Sequence, residues 1–476
     1  AALPTDLASR VTHCLIEGSA WMSDDLTDDY QAGEIHHQQY QAETADQLLD
    51  DISDASAVID YVRERLTVIG SVKSDRVVVP SPFLAAVIER DPNVARAVIK
   101  AVIADPIDLL GQVLSVALSQ LAVTAPTEAV EHAQQLLAVE SLGLDWQIAY
   151  AFSLGLGART DLRPEEIALI ESLAKHPDAA VRSLMVYAAD NLAATQRARA
   201  VRLLLSIDFS DSAKVAGAVL GEFKGRVFRL DDLAVPQRKD LLKRLEVCPN
   251  LDEYAIGLFL RAVAETDAES MVAMLQARIA RQTEGREAWL EGIPWAWSHA
   301  GQSPVILRDN PKFDRVLGQL LAWLSGSDAL QAHYKTPLVK AIVGAFDDPT
   351  IALLRTWLEQ HPGKDSLEAV SMALGEAQCS IIWTQQAFIV ELLKAAEAFG
   401  TDSQQTVGRN LSKAAMSNSE LGTTLGGQAA SEGELITNAR RIMHELPVGS
   451  VTRRFYRELA DHVEQMTRWR SSSPFT

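Results

Sequence analysis

The stretch Ile167–Arg182, IALIESLAKHPDAAVR, contains an apolar helix, a His-Pro corner and the start of a second helix. Apolar residues recur every three or four positions before the corner, which predicts one buried helical stripe. Pro177 ends this helix because the residue before a proline is pushed out of the α region. Asp178 can then cap the next helix. A hairpin this short cannot bury both of its faces alone, so the stretch predicts an array of stacked hairpins.

A second copy of the pattern, IALLRTWLEQHPGKDS, covers Ile351–Ser366. A further corner is predicted at Asp91-Pro92, and a series of corners from Pro177 onward has separations of 34, 38, 77, 36 and 40 residues. The members of the series are Pro177, Asp211, Pro249, Gly326, Pro362 and Asp402. The separation of 77 is two steps with one corner missing, and the step length is typical of helix-hairpin arrays. This spacing indicates that His176 and His361 are corner residues rather than catalysts.

The composition, 47% hydrophobic but only 6% aromatic, is rich in Ala and Leu and predicts an all-α protein. The corner His176–Arg182, HPDAAVR, resembles the inter-helix turn of HEAT repeats, with a Pro, an Asp and then Val-Arg opening the second helix. The resemblance implies an α-solenoid, that is, a HEAT-like superhelix of stacked antiparallel helix hairpins. It implies an architecture and no particular function.

The chain divides by charge and rhythm into two predicted regions. Residues 1–78 form an acidic, helical and partly flexible region, because residues 1–60 contain 13 acidic side chains and one basic one. Residues 79–476 form the HEAT-like array. A Trp-rich segment, 284–313, interrupts the array as an irregular insertion, and a capping helix over 450–470 closes it.

The overall charge of −19 disfavours nucleic acid as the main ligand, because phosphate binding requires a positive surface. Three distant cysteines and the lack of a signal-peptide pattern indicate a cytoplasmic protein. The uncharged segment Leu109–Ala125 is interpreted as a buried helix rather than a membrane span, since it is short and contains polar residues. The sequence begins with Ala1 rather than Met, which is compatible with a segment of a longer protein.

No nucleotide-binding, zinc-protease, redox or serine-nucleophile motif occurs, so we expect no catalytic residue, metal or cofactor. The best candidates for binding a partner lie in the Trp-rich segment, since Trp and Arg dominate interface hot spots. These candidates are Trp289, Trp295, Trp297, Arg308 and Asp309. A basic patch is the second candidate, with Arg226, Arg229, Arg238, Lys239, Arg453, Arg454 and Arg457.

The favoured function is a non-catalytic protein–protein interaction scaffold or sensor module, compatible with a segment or subunit of a larger bacterial assembly. The alternative is a HEAT-like nucleic-acid-binding protein or a DNA glycosylase-like enzyme with a basic, aromatic concave groove. A third hypothesis is self-association, in which the acidic N-terminal region docks onto the basic C-terminal helix of a second copy. The sequence does not determine the oligomeric state.

Overall fold

The computed structural model describes residues 5–16, 30–71, 81–139, 141–154, 161–225, 227–283, 305–417 and 430–472. The described residues form 22 α-helices and two short 3-10 helices and contain no β-strand, so the chain is all-α, as predicted. The chain forms two compact units, residues 1–209 and 210–476. We call them unit 1 and unit 2. The predicted division into residues 1–78 and 79–476 stays a prediction.

Unit 1 contains ten α-helices within its described residues. They are α1 (Leu7–Cys14), α2 (Tyr30–Asp51), α3 (Ala55–Ser71), α4 (Ser81–Arg90), α5 (Pro92–Ala104), α6 (Leu114–Thr124), α7 (Pro126–Leu137), α8 (Leu142–Leu154), α9 (Pro164–Leu173) and α10 (Ala179–Ser206). α10 is kinked at Gln196, whose backbone leaves the helical region.

The helices of unit 1 contact one another in two series. In the even row (α2, α4, α6, α8 and α10), each helix packs against the next member of the same row. The odd row (α1, α3, α5, α7 and α9) does the same, and consecutive helices from α4 onward also contact each other. The apolar core is formed within and between these rows, as the fully buried Val98, Leu118 and Ile148 illustrate.

The corner between α9 and α10 has the predicted local structure. Pro164 occupies the first turn of α9, and the Glu166 carboxylate accepts the Arg163 backbone N–H at 3.0 Å. Asp178 caps α10 by accepting the Ala180 N–H. The predicted apolar stripe of α10 is buried, at Val181, Leu184, Ala188 and Leu192.

The corner at Asp91-Pro92 is also a helix boundary, between α4 and α5, with Asp91 as the cap. It leads from the even row to the odd row, however, whereas His176-Pro177 leads from the odd row to the even row. The two similar sequences therefore connect the rows in opposite order. Proline and aspartate specify where a helix ends and the next begins, but not which row the next helix joins.

The described part of the acidic N-terminal region is packed into unit 1. α1 contacts α2 and α3, while α2 contacts α4 and α3 contacts α5. Val11, Leu48 and Val62 are fully buried, and Asp46 of α2 forms an ion pair with Arg90 of α4. The acidic side chains thus lie on helices with an apolar buried face.

Unit 2 contains twelve α-helices within its described residues. They are α11 (Ala213–Glu222), α12 (Val235–Leu245), α13 (Tyr254–Thr283), α14 (Phe313–Leu324), α15 (Ala329–Val343), α16 (Asp348–Gln360), α17 (Lys364–Leu374), α18 (Ile381–Thr384), α19 (Gln386–Phe399), α20 (Thr401–Ser417), α21 (Ala430–Glu445) and α22 (Val451–Ser472). α13 is kinked at Asp267. A continuous series of contacts joins α11, α13, α15, α17 and α20.

The corners predicted in this half of the sequence coincide with helix boundaries. α11 begins just after Asp211, and Pro249, Gly326 and His361-Pro362 each fall between two helices. The boundary near Asp402 is at Gly400. Gly326 and Gly400 have φ angles of 73° and 103°. Residues other than glycine rarely adopt this backbone conformation.

α22 begins as predicted, since the Ser450 hydroxyl accepts the Arg453 backbone N–H at 3.2 Å. Its apolar stripe is buried at Val451, Phe455, Leu459 and Val463, and half-buried at Met466. Among the helices that the structure describes, none combines the length and apolar character needed to cross a bilayer.

Candidate functional site

An open groove of about 250 Å³ lies on the even row of unit 1, between α4, α6 and α8. We call it the even-row groove. Its apolar lining includes Ile88 and Val116, and its polar lining includes Glu89, Ser119, Gln120 and Tyr150. A concave surface with apolar walls and a few convergent polar groups is the usual form of a ligand site.

The groove exists because α6 has small side chains on the face that it turns toward this surface. Ser115 and Ser119 are one helical turn apart and both line the groove. The Gln147 side chain of α8 accepts the Ser115 backbone N–H at 3.3 Å, which ties α8 to the start of α6. The small side chains of α6 therefore leave a depression between α4 and α8.

Aromatic side chains border the groove on the side of α8. The rings of Trp146 and Tyr150 stack with their centroids 5.0 Å apart and their planes at 11°. Trp146 is 38% exposed, and Tyr187 on the neighbouring α10 is 65% exposed. Exposed aromatics of this size are typical of surfaces that bind a partner.

The polar side chains of the groove are available to a ligand. Glu89, Ser119, Gln120 and the Tyr150 hydroxyl make no side-chain hydrogen bond or ion pair with any other residue that the structure describes. Arg90, the neighbour of Glu89, instead pairs with Asp46. The groove therefore combines one carboxylate with hydroxyl and amide groups next to an aromatic face.

Only part of the candidate partner site predicted in the Trp-rich segment is described. Trp289, Trp295 and Trp297 lie outside the described residues. Arg308 forms an ion pair with Asp347, and Asp309 is exposed.

The described end of that segment is held by hydrogen bonds to backbone carbonyls elsewhere in unit 2. The Leu307 N–H donates to the Ile342 carbonyl at 2.8 Å, and the Asn310 side chain donates to the Ala264 carbonyl at 2.8 Å. Arg308 thus lies in a segment that is hydrogen-bonded to the rest of the unit, and its guanidinium pairs with Asp347.

The predicted basic patch contains two kinds of residue, apart from Arg226, which lies outside the described residues. Arg229, Lys239, Arg454 and Arg457 are exposed. Arg238 instead donates to the Thr266 hydroxyl at 3.1 Å, and Arg453 donates to the Leu446 carbonyl at 3.1 Å. These two guanidinium groups are engaged in stabilising helix ends and corners.

The aromatic neighbours of the basic residues in α22 belong to the core. Phe455 is 7% exposed and Tyr456 is fully buried. The Tyr456 hydroxyl donates to the Ile382 carbonyl at 2.9 Å, and burial raises the pKa of Tyr456 far above its usual range. Neither ring is exposed for stacking on a base.

The corner histidines have structural partners. His361 Nδ1 lies 3.0 Å from the Trp357 carbonyl, and its ring stacks on the Trp357 ring. His176 accepts the Asp178 backbone N–H at Nδ1, and its Nε2 lies 3.3 Å from the buried carboxylate of Asp145. Both ring nitrogens of His176 are therefore engaged within the fold, which supports its interpretation as a corner residue.

Two buried arginines tie corners together: Arg182, the last residue of the HEAT-like corner motif, and Arg278, which the sequence reasoning did not single out. Arg182 donates to the His176 and Pro177 carbonyls at 2.6 and 2.8 Å. Arg278, which is fully buried, donates to the Cys248 carbonyl at 2.7 Å and to the Leu245 carbonyl. Helix ends leave carbonyl groups without helical partners, and a guanidinium can satisfy several of them at once.

The cysteines are protected rather than activated. Burial raises the pKa of each thiol to about 11, at Cys14, Cys248 and Cys379. A protonated thiol is a poor nucleophile and a poor metal ligand at neutral pH. Within the described ranges, no three or more His, Cys, Asp or Glu side chains are grouped so that they could hold a metal ion.

The sequence reasoning missed Tyr150 in the groove, Trp146 stacked on it, and the exposed Tyr187 on the next helix of the row. The available signal was the spacing of Trp146 and Tyr150, which are one helical turn apart in α8. Comparison of the sequence with protein-family models found no match, and comparison with curated proteins found none either.

Proposed function

We propose that this chain is a non-catalytic protein-interaction scaffold or sensor module of the cytoplasm, built as a HEAT-like α-solenoid. The even and odd rows of unit 1 support the solenoid part of the proposal, because contacts from each helix to the next helix of its own row are the pattern that stacked hairpins produce. The series α11, α13, α15, α17 and α20 supports it for unit 2.

The observation that carries the interaction function is the even-row groove with its aromatic border. Tyr150 lines the groove beside polar groups without partners in the described chain, and the exposed Trp146 stacks on it. Tyr187 adds exposed aromatic surface on α10, the next helix of the same row. Protein interfaces are centred on such aromatic side chains. The other described residues with a large exposed apolar surface in unit 1 are aliphatic.

The test is a quantitative affinity purification from the source organism, followed by mass spectrometry. The bait is the full chain, compared with a double variant in which Trp146→Ala and Tyr187→Ala are combined. The matched control combines Phe399→Ala and Leu330→Ala, which remove side chains of similar exposure, 48% and 63%, from unit 2. We expect a partner that is retained by the control and lost with the even-row variant. A set of captured proteins that is identical for all three baits would refute the proposal.

The alternative function, a nucleic-acid binder or a glycosylase-like enzyme, stays a prediction. Arg229, Lys239, Arg454 and Arg457 are the exposed cations that would serve it. The burial of Phe455 and Tyr456 removes two of the aromatic rings that would stack on bases.

A further inference from the structure

We propose that the even-row groove binds the cationic side chain of an arginine- or lysine-containing peptide segment on a partner protein, with Glu89 as the counter-ion. This inference rests on the interaction function proposed above and names the chemistry of the partner.

The charge of the groove has one sign. Glu89 is the ionisable acid among the described lining residues, and none of these residues has a basic side chain. Arg90 does not neutralise it, because the Arg90 guanidinium pairs with Asp46 on α2. A cation that enters the groove thus meets a carboxylate that no described residue neutralises, whereas an acidic peptide or a phosphate backbone would be repelled by it.

The remaining lining suits a long cationic side chain. Tyr150 contributes a ring that is already held in place by its stack with Trp146, and aromatic faces attract ammonium and guanidinium groups. Ile88 and Val116 can cover the methylene groups of the stem, as apolar surfaces commonly do for lysine and arginine.

The acceptors favour arginine over lysine. The hydroxyl of Ser119 and the amide oxygen of Gln120 lie in the same groove as the Glu89 carboxylate. A guanidinium has five N–H donors in a fixed plane, so it can use several acceptors together, while an ammonium is a compact point charge.

The experiment is a selection of a random-peptide phage library on the full chain, followed by calorimetry with the best synthetic peptide. We expect the selected peptides to share an arginine or lysine at one position with apolar neighbours. Glu89→Gln should lower the affinity by about tenfold, which is the size of effect expected for a charged hydrogen bond. The matched control, Glu131→Gln, removes an exposed acid from α7 of the odd row and should leave the affinity unchanged.

Charge reversal makes the test specific for the ion pair. Selection on the Glu89→Lys variant should replace the shared basic residue with aspartate or glutamate. The cation site is refuted if no peptide is enriched, if the enriched peptides lack a common basic residue, or if Glu89→Gln and Glu89→Lys bind them as the wild type does.

The two proposals fail separately. If a native partner is lost with the Trp146→Ala, Tyr187→Ala variant but retained by Glu89→Lys, the interaction function stands and the cation site is wrong. If peptides depend on Glu89 while no native partner depends on the aromatic residues, the groove binds cations and the proposed partner surface is wrong.

Discussion

The two rows of unit 1 use their polar side chains in different ways. In the odd row, Arg96 of α5 pairs with Glu128 of α7 at 3.0 Å, and Arg63 of α3 pairs at 2.8 Å with Asp108, which lies in the connection between α5 and α6. In the even row, the polar lining of the groove has no such partners among the described residues, although Arg90 and Asp46 pair nearby. An ion pair thus joins two neighbouring helices of the odd row, while the even-row groove leaves a carboxylate and aromatic rings at the surface.

This difference is the basis for assigning the proposed recognition to the even row, while both layers of the helical array contribute to stacking. Both rows bury apolar side chains, so both contribute to stability. An ion pair between neighbouring helices of the odd row helps to fix their relative position. Its net contribution to stability is small, because the pair is partly exposed. Four predictions test this difference between the rows, from the largest expected effect to the smallest.

Leu118→Ala should be the most destabilising change. Leu118 is fully buried on α6, which contacts α4, α5, α7 and α8. We expect a loss of about 2–5 kcal/mol in the free energy of unfolding, because the cavity cannot fully collapse. Urea unfolding followed by circular dichroism measures it. Val123→Ala, at a site that is 59% exposed on the same helix, should change stability by less than about 0.5 kcal/mol. Equal effects would show that the Leu118 side chain does not contribute to the core between the two rows.

Arg182→Met should destabilise the corner where the chain passes from the odd row to the even row. The change removes the donor to the His176 and Pro177 carbonyls. We expect a loss of about 1–3 kcal/mol, because carbonyl groups at a partly buried corner would lose their charged donor. Thermal unfolding measures it, with Arg202→Met, at an exposed position of α10, as the control. An unchanged melting temperature would mean that the corner needs no guanidinium.

Trp146→Ala should separate recognition from stability. The loss of its stack on Tyr150 should cost about 0.5–1.5 kcal/mol. Binding of a partner or selected peptide should fall much more, since the ring borders the groove. Chemical unfolding and calorimetry on the same protein sample give both quantities. A loss of stability with no loss of binding would mean that the stack of Trp146 on Tyr150 has a packing role only.

Glu128→Gln should have the smallest effect and a defined dependence on pH. The hydrogen bond from Arg96 lowers the pKa of Glu128 below its usual value. A lowered folded pKa means that the stabilisation is present above the unfolded pKa and is lost as pH falls through the folded pKa. We expect Glu128→Gln to cost about 0.2–1 kcal/mol at pH 7.

The difference between Glu128→Gln and the wild type should vanish in acid, once the wild-type carboxyl is protonated. Unfolding measured from neutral pH down to below the folded pKa tests this. Arg96→Gln completes a double-mutant cycle that isolates the pair. A difference that persists unchanged in acid would mean that the ion pair is not its cause.

Much of the helical pattern could be predicted from the sequence. The corners at Asp91-Pro92, His176-Pro177, Gly326 and His361-Pro362 are helix boundaries because proline, aspartate and glycine act through the backbone next to them. The direction of the Asp91-Pro92 corner was not predictable, since that depends on which row each helix joins.

The even-row groove could not be predicted from the sequence for a related reason. α8, LGLDWQIAYAFSL, is apolar on nearly every side, so its periodicity does not indicate which face is exposed. Only the contacts of α8 with α6 and α10 leave Trp146 on the surface while Ile148 is buried. The same limit applies to Arg182, whose charge suggests an exposed side chain and whose burial depends on the corner carbonyls.

The sequence by itself determined the helical class, the caps and the breaks of this protein, because these depend on residues that are neighbours in the chain. The tertiary structure alone decided which helices form the even row and the odd row. It also decided that Glu89, Gln120 and Tyr150 line one groove. Their convergence comes from three helices that are far apart in sequence, and the packing of apolar faces, which is not directional, sets their relative positions.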